Sequence, residues 1–497
     1  MAHPDRLSAL DSAFLHLESS GPSHMHVASV MIFKGDPPTL PEFVEYVRDR
    51  LHLVPRYRQR LAFVPFDQGR PIWVDDPHFN PYYHIRATAL PAPADDTALK
   101  TLAGQIFSQR LHRNRPLWEL WLVEHLARKR FAIIAKAHHA LVDGISGVDI
   151  TTVLFNDRPD GEEPRSDGSR PSWVARPLPS SVKLLADALV ERATLPSEMA
   201  RGASALARRP RKALSRLREG LADVGALTWS GIGSPAPESP FNVEIGPHRR
   251  YTFLDGDLAQ FRAVKEALGG TINDAVLTVV SLALGQYLRA EGHDTDGLVL
   301  RAMVPVSVRA QTERGALGNR VAAMWAPLPV GVRDARACHE EVRKAMADLK
   351  LTGQAVGAQV ITNLAGFAPP TILSQAARLQ ARQRYFNLVV TNVPGPQFPL
   401  YVLGREMLSL YPVLPLARRQ TLGVAVMSYN GKLGFGLLGD YDAMPELESL
   451  ATRMRRAIAA LTRAAEAAAE AEAERRPKSS GARARGKAAP AAGLTAS

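Results

Sequence analysis

The sequence predicts an α/β protein of two domains joined by a partly helical linker, and three observations carry that reading. At 497 residues and 46% hydrophobic side chains, the chain is too long for one ordinary core and can fill two. Short apolar runs alternate with helical patterns on both sides of a polar, turn-rich stretch that begins at Asn156. That stretch leads into a helical pattern from Ser180 to Val224, and then into a loop with Pro235, Pro237, Pro240 and Pro247. The predicted divisions are a first domain over 1–157, a linker over 158–247, a second domain over 248–462, and an Ala/Glu helix with a disordered basic tail over 463–497.

In the first domain, Phe131 to Ala137 is short and apolar on both faces except at Lys136, as expected of a buried central strand. It ends in His138 and His139, and Asp143-Gly144 follows as a tight turn. Side chains alternate along a strand, so the two rings must point to opposite faces and only one can serve a given site. Ile145 to Phe155 reads as a short helix. In the linker, Leu214, Leu217, Leu221 and Val224 form an apolar stripe opposite Arg208, Arg209, Lys212 and Arg216. The second domain opens with a strand at Tyr251. Ala275 to Leu288 reads as a buried helix capped by Thr271 or Asn273. Leu388 to Asn392 is a strand ending at Pro394-Gly395-Pro396, and Asn430-Gly431 turns a hairpin.

The chain carries a net charge of +12, and two segments account for all of it. Residues 201–219 and 475–487 each contribute six net positive charges, which leaves a formally neutral body. Aromatic residues do not interleave with the basic ones, which argues against nucleic acid. The start lacks the basic-then-apolar pattern of a signal peptide, and the longest apolar stretch falls short of a membrane span. A cytoplasmic protein held peripherally on the inner face of a membrane or on lipid droplets is the expectation. The single cysteine, Cys338, excludes an internal disulfide and is not read as a nucleophile. No third ligand lies at zinc-like spacing from the paired histidines, so no metal is expected.

His138-His139-x-x-x-Asp143-Gly144 resembles the signature of acyltransferases with a chloramphenicol-acetyltransferase-like fold. Further stretches, in order, resemble one branch, the bacterial wax ester synthase/diacylglycerol acyltransferases. They are the opening Leu7 to Leu15, Pro116-Leu117-Trp118, Pro247 to Arg250, Asn273-Asp274, Val304 to Arg309, Gly318-Asn319-Arg320 and Asn392 to Pro396. The resemblance implies two chloramphenicol-acetyltransferase-like domains with the active site at their interface. It also implies direct transfer of a long-chain acyl group from acyl-CoA to diacylglycerol, to a long-chain alcohol, or to both.

His139 is then the general base, for which an imidazole near neutrality is suited. His138 is a packing support. Asp143 is implied to sit in a structural ion pair with an arginine, for which Arg249, Arg250 and Arg309 are candidates, and Gly144 keeps the turn. Asn273 supports the developing oxyanion or only caps its helix, with Asp274 beside it on the substrate side. Pro116, Leu117 and Trp118 line an acyl pocket or pack the core. No cofactor is expected, because coenzyme A enters as part of the substrate. The rival readings are a polyketide-associated or condensation-type acyltransferase, and a lipid-binding or droplet-coating protein without turnover.

Overall fold

The computed structural model describes residues 5–19, 21–142, 153–160, 173–190, 235–307, 321–351 and 385–475. Asp143, Gly144, Arg309, most of the helix read after the His pair, and the basic stripe around Leu214 lie outside these residues, as does the tail from 476.

Two six-stranded sheets organise the described residues. The first contains β1 (His26–Lys34), β4 (Ile85–Ala89), β5 (Trp118–Leu126) and β6 (Arg130–His138). β2 (Gln59–Ala62) and β3 (Ile72–Asp75) form a separate small ribbon. The second sheet holds β7 (Arg249–Asp257), β8 (Leu300–Ser307), β9 (Val321–Leu328), β10 (Leu388–Val393), β13 (Leu422–Tyr429) and β14 (Lys432–Asp440).

β6 is covered on both faces, as its composition predicts. Phe131, Ile133 and Ala135 pack in one core with Phe43, Val44 and Val47 of the Leu40–Arg50 helix. Ala132 and Ile134 pack in another with Leu99, Ala103 and Ile106 of the Asp96–Ser108 helix. Lys136 is tolerated there because its ammonium is fully engaged. Nζ donates to the carbonyls of Ile106 (3.0 Å) and Gln109 (3.1 Å) at the end of that helix, and lies 3.3 Å from the Glu119 carboxylate.

The linear division of domains at residue 248 does not coincide with the sheets. β11 (Tyr401–Val402) and β12 (Arg405–Val413) leave the second half of the chain and complete the first sheet, in the order β11-β12-β1-β6-β5-β4. β12 pairs antiparallel with β1 from Ala28–Val413 to Phe33–Met407, and so satisfies what would otherwise be an open edge. Its backbone also lies directly on β14. A Cβ at Gly434 or Gly436 would collide with the carbonyl oxygens of Leu410 and Pro412 respectively. One strand thus ties both sheets together.

The second core forms around the Ile272–Ala290 helix, buried continuously from Asp274 to Gly285 between the sheet and the helices Leu258–Leu268, Ala335–Leu351 and Leu447–Arg475. Thr271 caps it in a reciprocal box with Asp274. Among the described residues no single helix is long and apolar enough to cross a membrane. The β13–β14 hairpin turns at Asn430 (φ 44°) and Gly431 (φ 78°), the two positive angles that such a turn requires. The last helix runs on through the Ala/Glu stretch to Arg475.

Candidate active site

β6 ends at His138, and a single helical turn, His139–Val142, begins at the next residue. The backbone N–H of His138 donates to the Leu117 carbonyl (2.9 Å) and that of His139 to the Met25 carbonyl (2.8 Å). The two rings have different surroundings. His138 is 1% exposed and its Nδ1 accepts the backbone N–H of Ala140 (3.1 Å). His139 packs against Phe14, with ring centroids 4.6 Å apart, and lines a cavity of about 1090 Å³ between the two sheets.

Small side chains make that space. Ser29 pairs with Ala135 and Val27 with Ala137 across β1 and β6, and all four line the cavity beside His139. Opposite them stand Met303, Val389, Ala425 and Met427 from the second sheet, with Leu410 and Pro412 from β12. The lining is mostly aliphatic and aromatic, and a few polar groups, among them His139, Thr391, Asn392 and Gln420, interrupt it. Such a surface suits a long hydrocarbon chain with a reacting group at one polar point.

Trp118 lines the cavity. Its indole N–H is satisfied by the Tyr57 carbonyl (2.7 Å), and its ring stacks on His84 at 4.7 Å. Pro116 and Leu117 are buried but do not line it; Leu117 instead supplies the carbonyl that holds His138. Asn273 and Asp274 sit in the capped first turn of the Ile272–Ala290 helix, and neither lines the cavity, whereas the Asn392–Pro396 stretch does. Arg249 donates to the carbonyls of Pro22, Gly246 and His248 and lies 3.7 Å from Asp440, while Arg250 donates to the Tyr441 carbonyl and stacks on its ring. Cys338 is buried away from the cavity, and burial pushes its thiol up to about 12.

Sequence reasoning missed Glu18. It is 2% exposed on the helix Ala9–Ser19, where Oε2 lies 2.9 Å from Arg113 and 3.5 Å from His138 Nε2, and Oε1 lies 3.3 Å from His26 Nε2. The available signal was a second acidic residue, after Asp11, on a largely apolar helix, one turn beyond Phe14. Burial works to raise its carboxyl, but the histidine contacts outweigh that and hold it well below the usual carboxylate range.

Burial drives His24, His26 and His84 down to about 4. In the unfolded chain each titrates near 6.5, so between those values only the unfolded state takes up these protons. Stability is therefore whole above about pH 6.5 and falls as the pH drops toward 4. A urea midpoint measured at pH 5 is expected to lie below that at pH 7.5; equal midpoints would contradict neutral burial of these rings.

Among the described residues no group of three or more His, Cys, Asp or Glu is arranged to hold a metal ion. A strand-end histidine facing a lipid-sized cavity between two mixed sheets defines a two-domain acyltransferase. The starter condensation domain of rhizomide synthetase shares the fold, with a TM-score of 0.52 at 14% identity over 93% of this chain and 94% of that one. The family is more specific: the chain belongs to the wax ester synthase/diacylglycerol acyltransferases, with its catalytic-domain model matching residues 7–276 and its C-terminal-domain model matching 317–462. A Mycobacterium tuberculosis protein named as a probable diacylglycerol O-acyltransferase is 32% identical over 464 residues, 92% of this chain and 96% of that one. The solved wax ester synthase/diacylglycerol acyltransferase from Marinobacter aquaeolei VT8 has a TM-score of 0.63 at 26% identity, covering 93% of this chain and all of that one.

Proposed function

We propose that this enzyme transfers a long-chain acyl group from acyl-CoA directly to the hydroxyl of diacylglycerol, of a long-chain alcohol, or of both. His139 acts as the general base. The observation that carries this is His139 itself, set at a strand end on the wall of a mostly apolar cavity of about 1090 Å³. Its ring nitrogen takes the hydroxyl proton while the oxygen bonds to the thioester carbonyl carbon. The tetrahedral oxyanion then collapses, the carbon–sulfur bond breaks, and the coenzyme A thiolate recovers the proton from the imidazolium. Among the described residues the cavity lining contains no cysteine or lysine poised as a nucleophile: Cys338 lies elsewhere, and the ammonium of Lys136 is spent on carbonyls and Glu119. Initial-rate plots at varied palmitoyl-CoA and diolein or hexadecanol should therefore intersect. Parallel lines, or protein acylated in the absence of acceptor, would require a covalent intermediate.

Peripheral attachment to an anionic membrane or droplet is part of this proposal. Its support is the +12 charge confined to two segments, together with large apolar side chains held in solvent at Phe66 (84% exposed), Val174 (78%) and Val182 (77%). The full chain should float with phosphatidylglycerol vesicles at low salt. A chain truncated after Glu474, with Arg208, Arg209, Arg211 and Lys212 changed to Gln, should float less. Equal flotation would remove the basic segments as the anchor.

A further inference from the structure

Resting on His139 as the base, we propose that Glu18 and His138 act as positioning residues: Glu18 fixes the ring tautomer of His138, and His138 in turn holds the turn that aims His139 into the cavity.

The argument runs through one nitrogen. His138 Nδ1 accepts the N–H of Ala140, so that nitrogen must carry a lone pair and the ring proton must sit on Nε2. Nε2 is the atom that faces Glu18 Oε2 at 3.5 Å. A proton on Nδ1 would set two N–H groups against each other and release Ala140, the residue directly after His139. Glu18 is kept as an anion there by Arg113 at 2.9 Å. The same helix reaches both rings of the pair: Phe14 packs on His139, and Glu18, four residues on, faces His138. This gives the N-terminal motif a task, since it places one clamp on each histidine. A carboxylate that selects an imidazole tautomer usually touches the catalytic ring itself; here it acts one residue away, through the backbone.

The test uses the full chain with palmitoyl-CoA and diolein. Glu18→Gln is expected to lower kcat at least about tenfold with KM for both substrates unchanged, because the base is misaimed and the lipid wall is intact. In a His138→Asn background, where the amide offers Oδ1 to Ala140 and has no tautomer to select, adding Glu18→Gln should cost less than about threefold. Equal losses in the two backgrounds, or an unchanged kcat in Glu18→Gln, overturn the proposal. If Glu18→Gln does not fold, the His138 pair decides. His138→Asn should keep a kcat at least about threefold above that of His138→Leu, whereas equal kcat in the two, or parental kcat in His138→Leu, overturns it. Nitrogen chemical shifts of His138 in histidine-labelled protein read the tautomer without turnover. An Nε2–H ring at pH 7.5 is expected, and an Nδ1–H or doubly protonated ring overturns the relay even where acyl transfer is normal. Absence of transfer in the parent, with the expected tautomer, would instead count against the assigned reaction.

Discussion

His139→Ala should lower acyl transfer by about 10²–10⁴-fold, the usual contribution of a positioned general base. The fold should survive. The backbone bond from His139 to the Met25 carbonyl does not involve the side chain, and the lost ring faces a cavity and not a packed core. His138→Ala should behave differently, since it removes a ring that is 1% exposed, frees the Ala140 N–H, and leaves Glu18 short of one partner. It should lower both the melting temperature and kcat. A folded His139→Ala enzyme with near-parental turnover would end the assignment of His139 as base. Circular dichroism melts run beside the thioester assay separate the two cases.

The largest structural effect is expected at β14. Gly436→Val should destabilise the protein by about 3 kcal/mol or more, at or beyond the upper end of ordinary overpacking, because the obstacle is backbone and cannot swing aside. The new side chain would meet the Pro412 carbonyl, and at Gly434 the Leu410 carbonyl. Relief requires β12 to lift off the second sheet while it stays hydrogen-bonded to β1 in the first. Activity should fall too, since Leu410 and Pro412 line the cavity. Gly21→Ala is the control: nothing lies within 4 Å of its added Cβ, and its effect should stay within about 0.5 kcal/mol. Urea unfolding checks both. A Gly436→Val chain as stable as the parent would mean that the sheets are not pinned at β12.

Local rules made much of this chain legible. The apolar run before His138 had to be a strand covered on both faces. Asn430-Gly431 is a turn because few other residue pairs accept two positive φ angles in succession. Thr271, one of the two caps that the sequence offers, caps its helix because a cap needs only residues within one turn. The ordered motifs identified the family, and with it the two-domain plan.

Other features had no local signal. The strand pattern of Arg405–Val413 is the same whichever sheet it joins, so its departure to the first sheet was invisible, and with it the reason for Gly434 and Gly436. Asn273 and Asn392 both stood in motif stretches, yet only Asn392 reaches the cavity, because the helix cap holds the Asn273 turn elsewhere. Glu18 and His138 are 120 residues apart in sequence. Periodicity, caps and turns follow from interactions within a few residues, and the sequence by itself determines these. Which strand closes an edge, which small residues leave a cavity and which carboxylate meets which histidine depend on distant segments fitting one another. Only the tertiary structure decides those.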